Sequence, residues 1–182
     1  MLAMGGLSPI RAADPVYITD FAQTHGATID AGVGSNVRVG VEAYALVSKL
    51  AFLADGDPDE VRFWVTAATF DPRTNGIATV GYVVSGSGGW VCRIVYRGKE
   101  TAPSKGECRA HWSLKRRRGV LSDIAALARM SGHSYSCRVM DGYWVSIEGV
   151  SEGRRFMVQA DNPSSCNDKD SQFIAAALEK VW

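Results

Sequence analysis

The segment between residues 61 and 97 carries the strongest structural signal in the chain. It contains three runs that are rich in β-branched and aromatic residues, VRFWVTAATF, IATVGYVVSG and WVCRIVYRG. Residues of these types favour pleated, half-buried strands. The DPRTNG segment and the Ser/Gly tract between the runs supply the residues that a chain reversal needs. The pattern therefore predicts a three-stranded antiparallel meander.

A second set of strand-like runs follows residue 133. The runs are SYSCRVM, YWVSIEGV and RRFMVQA, separated by Asp141-Gly142 and by the SEG segment at 151–153. Short Gly-containing connections between such runs favour hairpin turns. We therefore predict a second antiparallel trio.

The GVSEG segment at 149–153 also matches the Gly-x-Ser-x-Gly pattern of a hydrolase nucleophile. A nucleophile elbow needs a helix directly after the turn. Here the turn leads into the strand-like run RRFMVQA, so the prediction is a hairpin. Glu148, which precedes this turn, is expected to pair across the hairpin with Arg154 or Arg155.

Three other segments show the apolar spacing of helices. VEAYALVSKLAFLAD predicts a helix from about residue 41, although the apolar residues at 37, 39, 41, 43 and 45 also alternate as a strand would. GVLSDIAALARMSG predicts a second helix, with Gly132 at a left-handed C-cap position. DSQFIAAALEKVW predicts a third helix, and Asp168 or Asp170 can cap its first turn.

The predicted order is helix, three strands, helix, three strands, helix. Runs of strands separated by helices favour an α+β fold of antiparallel sheet with helices, written α-βββ-α-βββ-α. The order could divide into two similar halves, residues 36–100 and 118–182, joined by a basic connector. A parallel nucleotide-binding sheet is not favoured, because regular strand-helix alternation is missing.

The first residues, MLAMGGLSPIRAAD, resemble the end of an export signal. They contain a short apolar patch and small residues, but no basic region precedes the patch, and Arg11 fits poorly beside a cleavage site. We therefore predict a leader or signal remnant at 1–15 and a single domain at 16–182. No apolar stretch approaches the roughly 18 to 20 residues of a transmembrane helix.

The four cysteines, Cys92, Cys108, Cys137 and Cys166, form no Cys-x-x-Cys pair. A zinc site or a thioredoxin-type motif therefore lacks its main support. Of the three pairings, we favour Cys92 with Cys108 and Cys137 with Cys166, each stabilising by about 3 kcal/mol. Disulfides favour a periplasmic or secreted protein. Four reduced, buried thiols in a cytosolic protein are the alternative, since free cysteine is itself a core residue.

Positive charge is concentrated in the connector between the two predicted halves. Residues 93–118 contain nine Lys or Arg and two Glu, a net charge of +7 in a chain whose total is +1. Such a concentration attracts acidic partners if it is exposed, but it also fits a solvated connector whose Trp112 packs on the sheet. The candidate binding residues are Arg109, His111, Trp112, Lys115, Arg116, Arg117 and Arg118.

Three further patterns are incomplete as ligand motifs. GVGSN at 32–36 lacks both Gly-rich phosphate fingerprints and is expected to form a turn. DGDPDE at 55–60 has alternating Asp residues, but Glu60 stands where a calcium loop needs Gly, so a polar turn is expected. The histidines at 25, 111 and 133 lack the spacing of a zinc hydrolase. We therefore predict no metal, no cofactor and no catalytic set.

These observations favour a small exported binding domain without catalysis of its own. Its expected partner is an acidic protein or an anionic lipid or glycan surface, because exported proteins rarely meet nucleic acid. One alternative is a hydrolase whose Cys/His or His/Asp site assembles in space, with Cys166 before the last helix as a candidate nucleophile. Another is a structural subunit of an envelope assembly, with an apolar contact near Trp182.

Overall fold

The computed structural model describes residues 44–45, 48–67, 78–95, 105–111, 114–137 and 142–182. Several predictions made above fall outside these ranges. They are the leader at 1–15, the GVGSN turn at 32–36, His25, the DPRTNG turn at 71–76, Asp141 of the first predicted hairpin turn, and Trp112 of the basic run.

One mixed sheet of seven strands forms the centre of the described structure. The α+β class is therefore correct. The strands are β1 (Glu60–Ala67), β2 (Ala78–Ser85), β3 (Gly89–Val95), β4 (Lys105–Ala110), β5 (Ser134–Ser136), β6 (Tyr143–Ser151) and β7 (Arg154–Asp161), and their order across the sheet is β4-β3-β2-β1-β6-β7-β5.

Three α-helices have bounds within the described ranges. They are α1 (Leu114–Leu121), α2 (Ile124–Arg129) and α3 (Lys169–Glu179), and a 3₁₀ turn spans Pro163–Ser165. The second predicted helix is present as two short helices, and Gly132 follows them with φ of 79°. Asp168 rather than Asp170 caps α3, because its side chain accepts a hydrogen bond from the Ser171 amide. None of these helices combines the length and the apolar character needed to cross a membrane.

The helix predicted from about residue 41 is described only near its end. The Leu50 amide donates to the Ala45 carbonyl at 2.9 Å, and Lys49 between them has a φ of 58°. This pattern is the Schellman motif, in which a left-handed residue closes a helix. The chain then runs to the DGDPDE turn, where Gly56 has a φ of 91°. The predicted polar turn before β1 is confirmed.

The first predicted meander is confirmed, and it gains a fourth strand. β1, β2 and β3 pair antiparallel in succession, and β4 pairs antiparallel with β3. The connector was expected to be a loop, but a strand and α1 account for much of its described part. The sequence KGECRA contains no β-branched or aromatic residue, so propensity gives no strand signal there.

The second trio differs from the prediction in its pairing. β6 and β7 form the expected hairpin, and Glu152 and Gly153 both have the positive φ of a type I′ turn. β5 does not form a hairpin with β6 but pairs parallel with β7. The reason is that β6 is already paired on both sides, by β1 and by β7. The prediction of a purely antiparallel sheet is therefore wrong.

The strands of both predicted halves belong to this one sheet, because β1 pairs with β2 on one side and with β6 on the other. The division into two similar halves is not confirmed. The larger core lies between this sheet and the helices. It buries alternate residues of β1, such as Val61 and Phe63, against Leu127 of α2 and Ile174 of α3. We call this face of the sheet the helix-side face.

The opposite face carries a smaller core around Trp64 of β1, which is fully buried. Tyr44 and Leu50, on the chain before β1, pack against this core. Gly81 of β2 makes room for the indole, because a Cβ at this position would overlap the Trp64 ring. Side chains alternate between the two faces of β1, and each face contributes to a core instead of one face pointing to solvent.

Both predicted disulfides are confirmed. Cys92 of β3 and Cys108 of β4 lie directly opposite each other and are bonded. Cys137, immediately after β5, is bonded to Cys166, immediately after the 3₁₀ turn. The two bonds therefore lie at the two ends of the strand order.

Candidate functional site

The end of the sheet that contains β4 carries a groove of about 500 Å³ on the helix-side face. β2, β3 and β4 form its floor, and Val181 and Trp182, which follow α3, form a wall. The alternation of side chains in a strand brings every second residue of β3 and β4 to this face. The groove is lined by Tyr82, Val91, Arg93, Glu107, Arg109, His111, Val181 and Trp182.

The groove is basic and also partly apolar. Arg93, Arg109 and His111 contribute donors, and Val91 and Val181 contribute aliphatic surface. Arg109 and Glu107 approach within 3.9 Å, but their side chains are 86% and 54% exposed. Ion pairs this exposed are weak, so Arg109 keeps most of its capacity to attract an anion.

Tyr82 lies on the floor of the groove, half-buried between β1 and β3. Burial raises the pKa of its hydroxyl above the ordinary value of 10.0, while the nearby charge of Arg116 acts in the opposite direction. The phenol is therefore neutral at physiological pH. A neutral hydroxyl in this position can donate a hydrogen bond to an anionic ligand.

Arg116 of α1 builds the wall of the groove rather than its binding surface. Its guanidinium donates to the Lys180 carbonyl at 3.0 Å and to the Trp182 carbonyl. These are carbonyls at the end of α3, where a helix lacks its own donors. The contacts hold Val181 in the core and leave Trp182 at the surface, with 52% of it exposed.

Trp182 makes an edge-to-face contact with Tyr143 of β6, their ring centroids lying 5.8 Å apart. Its position is therefore defined on one side by an aromatic neighbour and open on the other. An exposed indole next to guanidinium groups offers a ligand both apolar area and a hydrogen-bond donor.

The remaining cations of α1 differ in their roles. Arg117 donates to the carbonyl of Gly86 at 3.2 Å and so joins α1 to the turn between β2 and β3. Lys115 and Arg118 are exposed. Of the seven predicted binding residues, Arg109 and His111 line the groove, Arg116 and Arg117 bond to backbone carbonyls, Lys115 and Arg118 are exposed on α1, and Trp112 lies outside the described ranges.

Sequence reasoning did not place Tyr82, Val91 or Arg93 at the site. The alternation in WVCRIV was a usable signal, because it puts Val91 and Arg93 on one face of β3. No local sequence pattern indicated that Trp182 lines the groove. It reaches the groove only because α3 packs on the same face of the sheet.

A second charged cluster lies on the opposite face, around Glu148 of β6. The Glu148 carboxylate is within 3.4 Å of Arg62 and of Arg155, and it accepts a hydrogen bond from the Trp64 indole at 3.3 Å. The predicted pairing with Arg155 is therefore present, but Glu148 is only 1% exposed. Arg62 also donates to the Ala51 carbonyl at 2.8 Å. The cluster fastens the chain before β1 to the sheet.

The cysteines offer neither a nucleophile nor metal ligands in this structure. Cys137, Cys166 and Asp168 are close enough to share a metal ion. Both of these cysteines are joined in a disulfide, however, and no cysteine of the chain is free. Thiolates are the form of cysteine that ligates metals and attacks substrates. The Cys166 version of the hydrolase hypothesis therefore has no thiol available, while its His/Asp version stays a prediction.

The sequence matches no protein-family model, and no curated protein is significantly similar to it. The groove is therefore interpreted from its own chemistry. Guanidinium groups, an imidazole, a neutral phenol and an exposed indole converge on one side of β2, β3 and β4. This combination suits an anionic ligand that also carries apolar groups.

Proposed function

We propose that the protein is a small exported binding domain that engages an acidic partner through a basic surface. We name this surface the basic groove surface. It comprises Arg93, Arg109 and His111 in the groove, together with Lys115 and Arg118 on α1. The main support for this proposal is the groove, in which cations and apolar side chains lie together next to the exposed Trp182.

The charge of the region favours an acidic partner. The chain has a net charge of only +1, yet residues 93–118 alone have a net charge of +7. A local excess of this kind raises the rate of encounter with negatively charged surfaces, and the buried apolar contacts then slow dissociation. An acidic protein, or an anionic lipid or glycan surface, fits these requirements. Binding of this kind needs neither a cofactor nor a metal.

Two features support export to the periplasm or the extracellular space. Two disulfides join all four cysteines, and stable disulfides are typical of proteins in oxidising compartments. The first residues also resemble the end of a signal sequence. Since nucleic acid is rare in those compartments, it is not the expected partner.

The test is the binding of fluorescently labelled poly-L-glutamate at increasing salt concentration. The test variant carries Arg109→Gln, Lys115→Gln and Arg118→Gln. Arg116 and Arg117 are left unchanged, because they bond to backbone carbonyls and their loss would disturb folding as well as binding. We expect the variant to lose about tenfold in affinity at low salt and to show a weaker salt dependence, since each exposed contact contributes about 0.5 kcal/mol.

The matched control removes the same number of charges elsewhere. It carries Arg129→Gln, Arg154→Gln and Lys169→Gln, three substitutions at exposed positions away from the groove lining. The control should bind poly-L-glutamate about as tightly as the unmodified protein. Equal losses in the two variants would show that only net charge matters, and unchanged binding in the test variant would contradict the proposal.

A further inference from the structure

The backbone of β4 offers a second recognition element beside the groove. β4 is the terminal strand of the sheet, and among the described strands only β3 pairs with it. The His111 amide donates to the Gly89 carbonyl at 3.0 Å, just beyond the last registered pair of β3 and β4. In antiparallel pairs, bonded and non-bonded positions alternate. This bond therefore fixes which β4 residues face β3.

Counting back from the bond at His111, the residues of β4 that bond to β3 include Arg109 and Glu107. The alternate positions of β4, which are Gly106, Cys108 and Ala110, are non-bonded, so their amides and carbonyls point away from β3. The Cα atoms of Cys92 and Cys108 are 4.0 Å apart, and such close approach belongs to the non-bonded positions. The outer edge of β4 thus presents a row of backbone donors and acceptors.

No strand of the described residues covers this row, and an uncovered row of backbone groups pairs readily with an added strand. The two faces of β4 define what that strand should carry. Glu107 and Arg109 project to the helix-side face, followed by His111. Gly106, Cys108 and Ala110 on the other face are small. Directly opposed side chains in neighbouring strands lie about 4.5 to 5.5 Å apart at Cβ, so a carboxylate opposite Arg109 would reach its guanidinium.

We propose that the acidic partner contributes an extended segment that pairs with β4 as a further strand of the sheet. Its acidic side chains face Arg109 and His111, and its apolar side chains face Cys108 and Ala110. The position opposite Glu107 is neutral, because like charges directly opposite each other are destabilising. This inference rests on the proposed function and adds the conformation and the sequence pattern of the partner.

The probe is an acetylated and amidated synthetic peptide, Val-Glu-Val-Glu-Val-Thr-Val, whose alternation matches these requirements. Amide hydrogen exchange of the full-length protein is measured by NMR with and without the peptide. We expect the amides of Gly106, Cys108 and Ala110 to exchange at least about tenfold more slowly in the complex. The amides of Glu107 and Arg109 face β3 and should change much less.

Two N-methylated peptides provide the matched controls. One carries methyl groups on the Val amides and the other on the Glu and Thr amides, so the charge is the same in both. In a paired strand, either the Val amides or the Glu and Thr amides point toward β4, but not both. We therefore expect one methylated peptide to lose binding and the other to keep it, and the losing set will indicate whether the strands are antiparallel or parallel.

The outcomes separate the two proposals. If the peptide or poly-L-glutamate binds but the three outer amides keep their exchange rates, strand addition is wrong and the acidic-partner proposal stands. Equal binding of both methylated peptides has the same meaning. Slow exchange of the three amides in the free protein would also overturn strand addition, because the edge would already be paired. If neither probe binds, both proposals fail.

Discussion

Glu148 shows how one buried charge can organise several elements of this fold. Its carboxylate lies on β6, its partners Arg62 and Trp64 lie on β1, and Arg155 lies on β7. Arg62 in turn bonds to Glu60 and to the Ala51 carbonyl. Desolvating such charges is unfavourable, and the mutual contacts offset that loss. The cluster defines how the chain before β1 meets the sheet more than it adds net stability.

We therefore expect Glu148→Gln to lower the free energy of unfolding by about 1 to 3 kcal/mol, because Arg62 and Arg155 would lose the buried carboxylate that lies between them. The loss stays below that of a fully unpaired buried charge, since Arg62 keeps its contact with Glu60 at 2.6 Å. Urea denaturation at neutral pH measures the loss. Glu179→Gln is the control, since Glu179 is exposed on α3, and it should change stability by less than about 0.5 kcal/mol. A loss below about 1 kcal/mol in Glu148→Gln would contradict the interpretation.

At the scale of elements, α1 shows why a run of cations need not be a loop. LKRRRGVL is helical even though it carries four consecutive basic residues. Arg116 and Arg117 direct their guanidinium groups to carbonyls of other elements, the end of α3 and the turn after β2. Lys115 and Arg118 remain at the surface. The charge run could be read from the sequence. Which of its cations bond to carbonyls and which stay at the surface depends on the elements that pack beside α1.

α3 carries a titratable cap at its first turn. The Ser171 amide donates to Asp168 at 2.8 Å, and this backbone hydrogen bond is the main reason why the pKa of Asp168 lies below its ordinary value of 3.8. Because the folded state favours the charged form, the cap stabilises the protein fully above pH 3.8. The stabilisation disappears as the pH falls through the lowered pKa of the folded state.

Asp168→Asn isolates this effect, because asparagine can still accept the capping bond but does not titrate. We expect the unmodified protein to melt about 1 to 3 °C higher than the variant near pH 7, since only the aspartate carries a charge that favours a helix N-terminus. Thermal melts from about pH 7 to about pH 2 should show this difference shrinking to zero in acid. A difference that is independent of pH would contradict the role of the charge.

At the scale of the molecule, the sequence identifies the inner strands better than the outer ones. β1, β2, β3, β6 and β7 are rich in β-branched and aromatic residues, since each of them contributes side chains to one or both of the cores. The outermost strands, β4 and β5, carry the sequences KGECRA and SYS and little such signal. The positions of β4 and β5 in the sheet depend on which inner strands have an unpaired edge. That depends on the tertiary structure, which local sequence does not determine.

The same distinction applies to the candidate site. The basic run was visible as a concentration of charge, so Arg109, His111, Lys115 and Arg118 could be named in advance. The groove could not, because Tyr82 and Trp182 lie 100 positions apart in the sequence and meet only through the packing of α3 on the sheet. Local patterns predict which residues are charged or apolar, whereas the shape of a site depends on contacts between distant elements.

The two disulfides lie where strand pairing is weakest. Cys92–Cys108 fastens β4, which has a described partner on one side only, and Cys137–Cys166 fastens the chain that follows the short β5. The inner strands have partners on both sides and need no such support. Each bond should stabilise the fold by about 3 kcal/mol through its effect on the unfolded chain. Reduction of either bond should therefore weaken the end of the sheet at which it lies.

We therefore expect the protein to carry no free thiol when it is isolated from its own host. Intact mass is measured after alkylation, with and without prior reduction, on material that is quenched with alkylating agent at lysis. Without reduction the mass should be unchanged, and after reduction all four cysteines should be alkylated. Four alkylated cysteines without reduction would place the protein in a reducing compartment. That result would contradict export and would bring nucleic acid and thiol chemistry back among the functions to be tested.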